Sequence, residues 1–175
     1  NPFIDVEISA EFRHGNRRLV TDGFYDGDGV YRVRFMPDTE GEWEWAVHSN
    51  AEALNGASGA FTCTPAPEGN HGPVRVCNRV HFAYEDGTPY TCVGTTCYGW
   101  IHQGDSLGDQ TIETLAAAPF NKIRMCVFPK TYTYNQNEPV YHAFADGCAK
   151  DSTCESFNLA FFRNLEKRVT QLRDI

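Results

Sequence analysis

Two patterns of hydrophobicity meet at Thr64-Pro65-Ala66-Pro67-Glu68-Gly69-Asn70-His71-Gly72-Pro73, a stretch with almost no apolar side chain. Residues before it alternate between apolar and polar, as half-buried strands do. Residues after it alternate between short apolar runs and helical patterns. Proline and glycine at this density are typical of a linker between domains. The sequence therefore predicts one domain over residues 1–66, a linker over 67–73 and a second domain over 74–175.

The first domain is predicted to be a β-sandwich. Inward-facing apolar residues alternate with residues of the other face in Phe3–Phe12, and the pattern recurs in Val30–Phe35 and Glu42–His48. Turn sequences such as Asp26-Gly27-Asp28-Gly29 separate these runs. About five short strands, each with one apolar face, are typical of a sandwich. Trp43 and Trp45 lie on the inward face of their run, so we expect them in its core.

The second domain is predicted to begin a parallel α/β fold. Phe82–Tyr84 and Tyr90–Val93 predict a hairpin, and Asp109–Ala118 predicts a helix that ends before a proline. Lys122–Phe128 predicts a strand buried on both faces. Phe157–Leu172 predicts an amphipathic helix with Ser156 as its N-cap and Arg168 facing solvent. Two parallel strands cannot bury two helices alone, so we expect a fragment of a longer protein.

Composition narrows the class of protein. The 175 residues carry a net charge of −8, which disfavours a nucleic-acid partner. No apolar run has the roughly 20 residues that a membrane-spanning helix needs. The seven cysteines are predicted to be reduced and buried, with a Cys148–Cys154 disulfide as the alternative. The sequence has no N-glycosylation sequon, which fits an intracellular or bacterial source, and we expect a cytoplasmic location. It shows no metal-ligand spacing and no cofactor motif.

Two blocks of sequence carry a resemblance to known families. Asn1–Val6, Asp22–Gly27 and Tyr31–Trp43 resemble the immunoglobulin-like domain of unknown function that precedes some bacterial glycoside hydrolase barrels. Phe82–His102 is similar to the start of the apiosidase-like (β/α)8 barrel, and Pro119–Arg124 fits the same pattern. The resemblance implies a multidomain protein: an immunoglobulin-like sandwich, then the first part of a TIM barrel whose C-terminal part is missing here.

The resemblance also implies a substrate-binding region. Catalytic groups of a (β/α)8 barrel project from the carboxyl ends of its strands. Aromatic faces stack on sugar rings there, and polar side chains bind hydroxyl groups. The residues expected at these ends, and hence in contact with an oligo- or polysaccharide, are Tyr98, Trp100, His102, Lys130, Tyr132 and Tyr134.

Arg124 is the candidate supporting catalytic residue. It lies within the predicted apolar strand, where an arginine is rarely buried without a partner. In retaining barrel glycosidases, which the segment Phe120–Arg124 resembles, an arginine holds the nucleophilic carboxylate ionised and oriented. A structural ion pair is the alternative role.

The catalytic carboxylates themselves are expected outside this sequence. Glycoside hydrolysis needs two of them, and in the resembled barrels they follow strands four and seven. Glu85 and Asp86 fit a tight turn better, while Glu113 and Glu166 fit exposed helix faces. We therefore expect a glycoside hydrolase without cofactor or metal, of which residues 1–175 alone are inactive. The alternative is a non-catalytic carbohydrate-binding or structural β-sandwich module, for which Trp43 or Trp45 would bind the glycan.

Overall fold

The protein is represented by a computed structural model that describes residues 1–128, 133, 136–147 and 153–175. The chain forms two compact units, Asn1–Gly72 and Pro73–Ile175. The predicted linker, 67–73, spans the junction between them. Within the described ranges, no helix has both the length and the apolar character needed to cross a membrane.

The first unit is one antiparallel sheet of five strands, paired in the order β3-β2-β1-β4-β5. The strands are β1 Ile8–His14, β2 Arg17–Tyr25, β3 Tyr31–Val33, β4 Gly41–Ser49 and β5 Ser58–Cys63. A short 3-10 helix, Glu52–Leu54, lies between β4 and β5. The hairpin turn predicted between β2 and β3 is confirmed, because Asp26 N–H donates to the Val30 carbonyl at 2.8 Å and Gly27–Gly29 have positive φ.

The sheet curls around its own apolar face. Ala10, Phe12 and Trp43 are buried there, as the alternation of polar and apolar residues predicts. Phe35, which follows the edge strand β3, lies 5.1 Å from the Trp43 ring and 6.4 Å from Phe61 on the opposite edge strand, β5. Side chains from both edges therefore share one core. Because the five strands pair in a single continuous order, the predicted immunoglobulin-like arrangement of two facing sheets is not confirmed.

The second unit combines an antiparallel hairpin with a β-α-β segment. Its elements are β6 Val74–Cys77, β7 His81–Tyr84, β8 Gly94–Thr96, a 3-10 helix Trp100–His102, α1 Asp105–Ala116, β9 Lys122–Arg124 and α2 Leu159–Arg173. β6 pairs with β7, and β8 pairs with β9 in parallel, with α1 between them in the chain. This is the expected start of an α/β fold. The described residues contain only one parallel pair, so a (β/α)8 barrel is not confirmed.

Several predicted element boundaries are wrong. The predicted hairpin is confirmed in its turn, where Tyr84 N–H donates to the Thr88 carbonyl at 2.8 Å and Tyr90 N–H donates to the Phe82 carbonyl at 3.1 Å. Residues 90–93 form no strand, however, and β7 pairs along its length with β6. Instead, Asn121 holds that segment through its side chain: Oδ1 accepts from Val93 N–H at 2.9 Å, and Nδ2 donates to the Thr91 carbonyl at 2.8 Å. β9 covers only the first three residues of the predicted strand Lys122–Phe128, and of these only Ile123 is even partly buried. The apolar run was too short to distinguish a strand from an irregular buried segment.

α2 confirms the predicted helix but not the residues that it buries. Its N-cap is Asn158, not Ser156, and the Asn158 side chain accepts from Ala160 N–H at 3.1 Å. Phe161 is buried as expected, but Val169 is 50% exposed. Arg168, predicted to face solvent, is only 2% exposed because it packs on α1 and pairs with Asp105 and Asp109.

The cysteines differ from the prediction in burial. None of the described cysteines is fully buried: the partly buried ones are Cys63, Cys77, Cys97 and Cys126, and the exposed ones are Cys92 and Cys154. Cys148 lies outside the described residues, so the alternative, a Cys148–Cys154 disulfide, stays a prediction. Burial raises the pKa of the Cys97 thiol.

Candidate functional site

The backbone brings Tyr98 and Arg124 side by side at the carboxyl end of the parallel pair. Thr96 of β8 is in register with Arg124, the last residue of β9. The hydrogen bonding continues beyond the strands: Cys97 N–H donates to the Arg124 carbonyl, and Cys126 N–H donates to the Tyr98 carbonyl, each at 2.9 Å. In a parallel α/β sheet, ligands bind outside the carboxyl ends of the strands. The two side chains are therefore placed where this architecture binds ligands.

The Arg124 side chain lies against the Tyr98 ring. Its Cζ is 4.8 Å from the ring centroid, and Nη2 donates a hydrogen bond to the tyrosine hydroxyl. The two contacts fix the guanidinium by a cation–π interaction and a directional bond together. Arg124 is exposed, so the expectation of an arginine buried within an apolar strand is wrong. The reason is that β9 ends at this residue and turns only Ile123 inward.

Trp100 lies in the core of the second unit. It is 6% exposed, packs with Ile101 and Phe161, and donates from Nε1 to the Met125 sulfur at 2.9 Å. The buried indole, with its N–H hydrogen-bonded, therefore packs in the core against the segment that follows β9. Its predicted contact with substrate stays a prediction.

His102 is buried in the same core, with 5% of its surface exposed. Its ring stacks on Phe161 at 5.8 Å, and Nε2 donates to the Cys126 carbonyl at 3.1 Å. Burial lowers the pKa of the imidazole, because the charged form loses hydration. The hydrogen bond from the ring therefore links the 3-10 helix Trp100–His102 to the segment after β9. In that segment, Cys126 N–H donates to the Tyr98 carbonyl. A substrate contact by His102 likewise stays a prediction.

The other candidate residues are distributed as follows. Lys130, Tyr132 and Tyr134 lie outside the described residues. Glu85 lies in the turn after β7 and pairs with Arg75 at 2.5 Å, as its predicted turn position implies. Glu113 and Glu166 are exposed on α1 and α2. In the part of the chain that the structure describes, no carboxylate forms an ion pair with Arg124.

The tryptophans on which a glycan-binding sandwich would depend do not form an exposed platform. Trp43 is completely buried, and its Nε1 donates to the Thr39 carbonyl at 2.9 Å. Trp45 is partly buried, and Gly59 leaves room for its ring, since a Cβ at that glycine would lie 2.8 Å from Trp45 Cζ2. Both side chains belong to the core of the curled sheet.

A charged cluster on the outer face of the same sheet was not predicted from the sequence. Glu11 of β1 is 4% exposed although it lies on the polar face of its strand. Its two carboxylate oxygens accept from Nε of Arg13 and Nε of Arg18. The hydrogen bond from Arg13 is the main cause that lowers the pKa of Glu11, and the bond from Arg18 adds to it. The sequence did contain a signal for this cluster. Glu11 and Arg13 lie two residues apart, on one face of a strand, and Arg18 follows across a short turn.

Comparison with known proteins finds a match to one family model and to one solved structure. Residues 1–50 match DUF5060, a domain of unknown function. The crystal structure of "a putative glycoside hydrolase from Bacteroides vulgatus ATCC 8482" aligns with a TM-score of 0.91 and 42% sequence identity. The alignment covers 99% of this chain and 36% of that chain, so the present sequence spans about a third of that protein. No curated protein matches the sequence.

Proposed function

We propose that this chain is part of a glycoside hydrolase and contributes Tyr98 and Arg124 to the substrate cleft. The observation that carries the proposal is the 42% identity over 99% of the chain with the Bacteroides protein described above. The position of the two residues supports it, because Tyr98 follows the carboxyl end of β8 and Arg124 is the last residue of β9, its parallel partner.

Arg124 is proposed to hold a catalytic carboxylate in its ionised form. Its guanidinium is oriented by Tyr98 and has several further N–H donors, which suits a bidentate bond to a carboxylate. A guanidinium in contact with a carboxyl group lowers the pKa of that group. The carboxylate would then stay ionised, as a nucleophile or a base requires and an acid does not. The two carboxylates are proposed to belong to the part of the protein that corresponds to the remainder of the Bacteroides chain.

The finer architecture is part of the same proposal. The β8–α1–β9 segment, with its parallel pairing, supports the start of an apiosidase-like (β/α)8 barrel. The substrate is proposed to be a plant or other oligo- or polysaccharide. Tyr98, Trp100 and His102 would line or support the cleft, and Lys130, Tyr132 and Tyr134 would complete it. The protein is proposed to act in the cytoplasm, without a cofactor, a nucleic acid or a membrane.

The test measures hydrolysis of a panel of aryl glycosides and plant oligosaccharides by the whole protein. Arg124→Ala is expected to reduce kcat by about 100-fold or more with a smaller change in KM, because the arginine acts on charge that changes in the transition state. Arg124→Lys should retain only part of the activity, since an ammonium cannot make the bidentate contact. Residues 1–175 alone should be inactive.

Arg173→Ala is the matched control. Arg173 is an exposed arginine of the same unit that pairs with its neighbour Asp174. This variant should keep full activity. Equal activity of the Arg124→Ala and Arg173→Ala proteins would contradict the assigned role, and absence of hydrolysis across the whole panel would contradict the proposed function.

A further inference from the structure

We propose that the outer face of the curled sheet binds a carboxylate-bearing sugar, with its carboxylate between Arg13 and Arg18. The site lies wholly in the first unit and shares no residue with the site proposed above. The carboxylate is argued from the two arginines, whereas the sugar part rests on the proposed function.

The two arginines are placed together by the register of the sheet. Arg13 of β1 lies directly opposite Arg18 of β2, and Glu11 lies two residues before Arg13 on the same face. Like charges directly opposite each other destabilise a sheet unless a counter-charge is present. Glu11 supplies one, because each of its carboxylate oxygens accepts from one of the two Nε atoms. One buried anion therefore holds two cations, which leaves the trio with a net positive charge.

The ends of both guanidinium groups are available for a ligand. The Arg13 and Arg18 side chains are 61% and 65% exposed, while that of Glu11 is only 5% exposed. In the described part of the chain, Glu11 is the one residue to which either guanidinium hydrogen-bonds. The terminal Nη atoms thus present two preoriented sets of donors on one side of the sheet. Such an arrangement fits a planar carboxylate, whose two oxygens can accept hydrogen bonds from both guanidinium groups.

Glu44 determines on which side the anion would lie. It is in register with Arg13 on the strand β4, away from Arg18, so the three charged residues form a row across the sheet. An anion placed beyond Arg13 would meet the Glu44 carboxylate and be repelled. The position between the two arginines avoids that repulsion.

The rest of the site has the shape and polarity for a sugar ring. The arginines border an open depression of about 770 Å³, which also includes His48 and Glu44 on its rim. Over β4 and β5 it is lined by the small residues Ala46, Ser58, Gly59 and Ala60 and by Trp45, whose ring packs against the core of the sheet. The four small residues let a flat ring approach the sheet, and the polar rim offers partners for its hydroxyl groups.

The experiment titrates the 175-residue chain with trigalacturonic acid, with neutral galactotriose and with acetate, and follows binding by NMR chemical shifts. Trigalacturonic acid should bind and shift signals of Arg13, Arg18 and Ser58. Galactotriose and acetate should bind at least tenfold more weakly. Equal binding of galactotriose would overturn the role of the arginines, and equal binding of acetate would overturn the assignment to a sugar.

Two variants and one control test the position of the site. Arg18→Gln should weaken trigalacturonic acid binding at least tenfold, and Ser58→Tyr should do so by filling the depression without changing a charge. Arg32→Gln is the control, because Arg32 is an exposed arginine of the same sheet that pairs with Asp26 outside the depression. Unchanged affinity in Arg18→Gln, or no binding by the unmodified chain, would overturn the proposal. Because the readout is binding, it is independent of whether the whole protein hydrolyses any glycoside.

Discussion

The guanidinium of Arg168 on α2 occupies the space into which a side chain at Gly108 on α1 would project. A Cβ built on Gly108 would lie 2.6 Å from Arg168 Cζ. The guanidinium is held there by Asp105 and Asp109, which flank Gly108 on α1, and by Gln171 on its own helix. Gly108 is also the buried residue of α1. The buried guanidinium of Arg168 thus links α2 to α1, and it fits there because residue 108 has no side chain.

Gly108→Ala should therefore destabilise the second unit. Although alanine favours a helix over glycine, its methyl group would displace a guanidinium that is fixed by two ion pairs. We expect a loss of about 1–3 kcal/mol, the usual effect of overpacking a buried site. Urea unfolding followed by circular dichroism measures it. Gly94→Ala is the control, since its Cβ would make only ordinary contacts with Lys122 at 3.5–3.7 Å; stabilities that do not differ between the two variants would contradict the packing described here.

The ion pair between Arg17 and Asp38 should make the first unit sensitive to acid. Arg17 contacts both carboxylate oxygens of Asp38, at 2.8 and 2.7 Å, and these hydrogen bonds lower the pKa of Asp38 from 3.8 to about 2. A carboxyl group whose pKa is lower in the folded state stabilises the fold above its unfolded pKa, and this contribution is lost as the pH falls through the folded value. We therefore expect stability to decrease from about pH 4 down to about pH 2.

Asp38→Asn should reduce that dependence on pH. Thermal unfolding of both proteins between about pH 5 and about pH 2 measures the difference in slope. Asp28→Asn is the control, because Asp28 lies in the turn between β2 and β3 with a φ of 51°, a conformation that asparagine also adopts. A slope that is the same in Asp38→Asn and in the unmodified chain would show that the ion pair does not stabilise the fold.

Tyr98→Phe separates the two contacts that orient Arg124. The phenylalanine keeps the ring face beneath the guanidinium and removes the hydroxyl that accepts from Nη2. In the whole protein we expect kcat to fall by about 3–10-fold, the effect of one hydrogen bond of about 1 kcal/mol. Tyr31→Phe, which loses a 3.1 Å bond to the Pro2 carbonyl in the first unit, should leave kcat unchanged. A loss as large as that of Arg124→Ala would mean that the hydroxyl itself takes part in the reaction.

Asn121→Ala should loosen the segment that leads into β8. The Asn121 side chain bonds Val93 N–H and the Thr91 carbonyl, and so replaces strand pairing at residues 91–93. Because the residue is exposed, water compensates part of the loss, and we expect a destabilisation of about 1–2 kcal/mol. Hydrogen exchange of the Val93 amide should accelerate more than that of the Cys126 amide, which bonds to Tyr98. Equal acceleration at both amides would contradict a local role.

The sequence predicted the elements whose pattern is long and regular. The alternation around Phe12 and Trp43 identified buried positions of the curled sheet, and the helical period around Phe161 identified α2. The path of the sheet could not be predicted, because alternation shows which face of a strand is buried but not whether one sheet curls or two sheets face each other. The burial of Arg168 was missed for a related reason: its partners Asp105 and Asp109 are about 60 residues away in sequence, and helical periodicity carries no information about them.

The candidate site was predicted in part. The pairing of segments near Tyr98 and Arg124 follows from the strand-helix-strand pattern, and the structure brings the two residues together. Whether each side chain faces solvent or the core depends on where the strand ends. Arg124 emerges because β9 stops there, while Trp100 turns inward because the chain after β8 enters a 3-10 helix.

The backbone bonds that continue the ladder beyond β8 and β9 have a practical consequence for mutagenesis. Since Cys97 N–H and Cys126 N–H hold the main chain at positions 98 and 124, the side chains there can be exchanged without moving their attachment points. These two positions therefore suit saturation libraries and the insertion of unnatural amino acids, in which a change of rate or selectivity can be attributed to the new functional group.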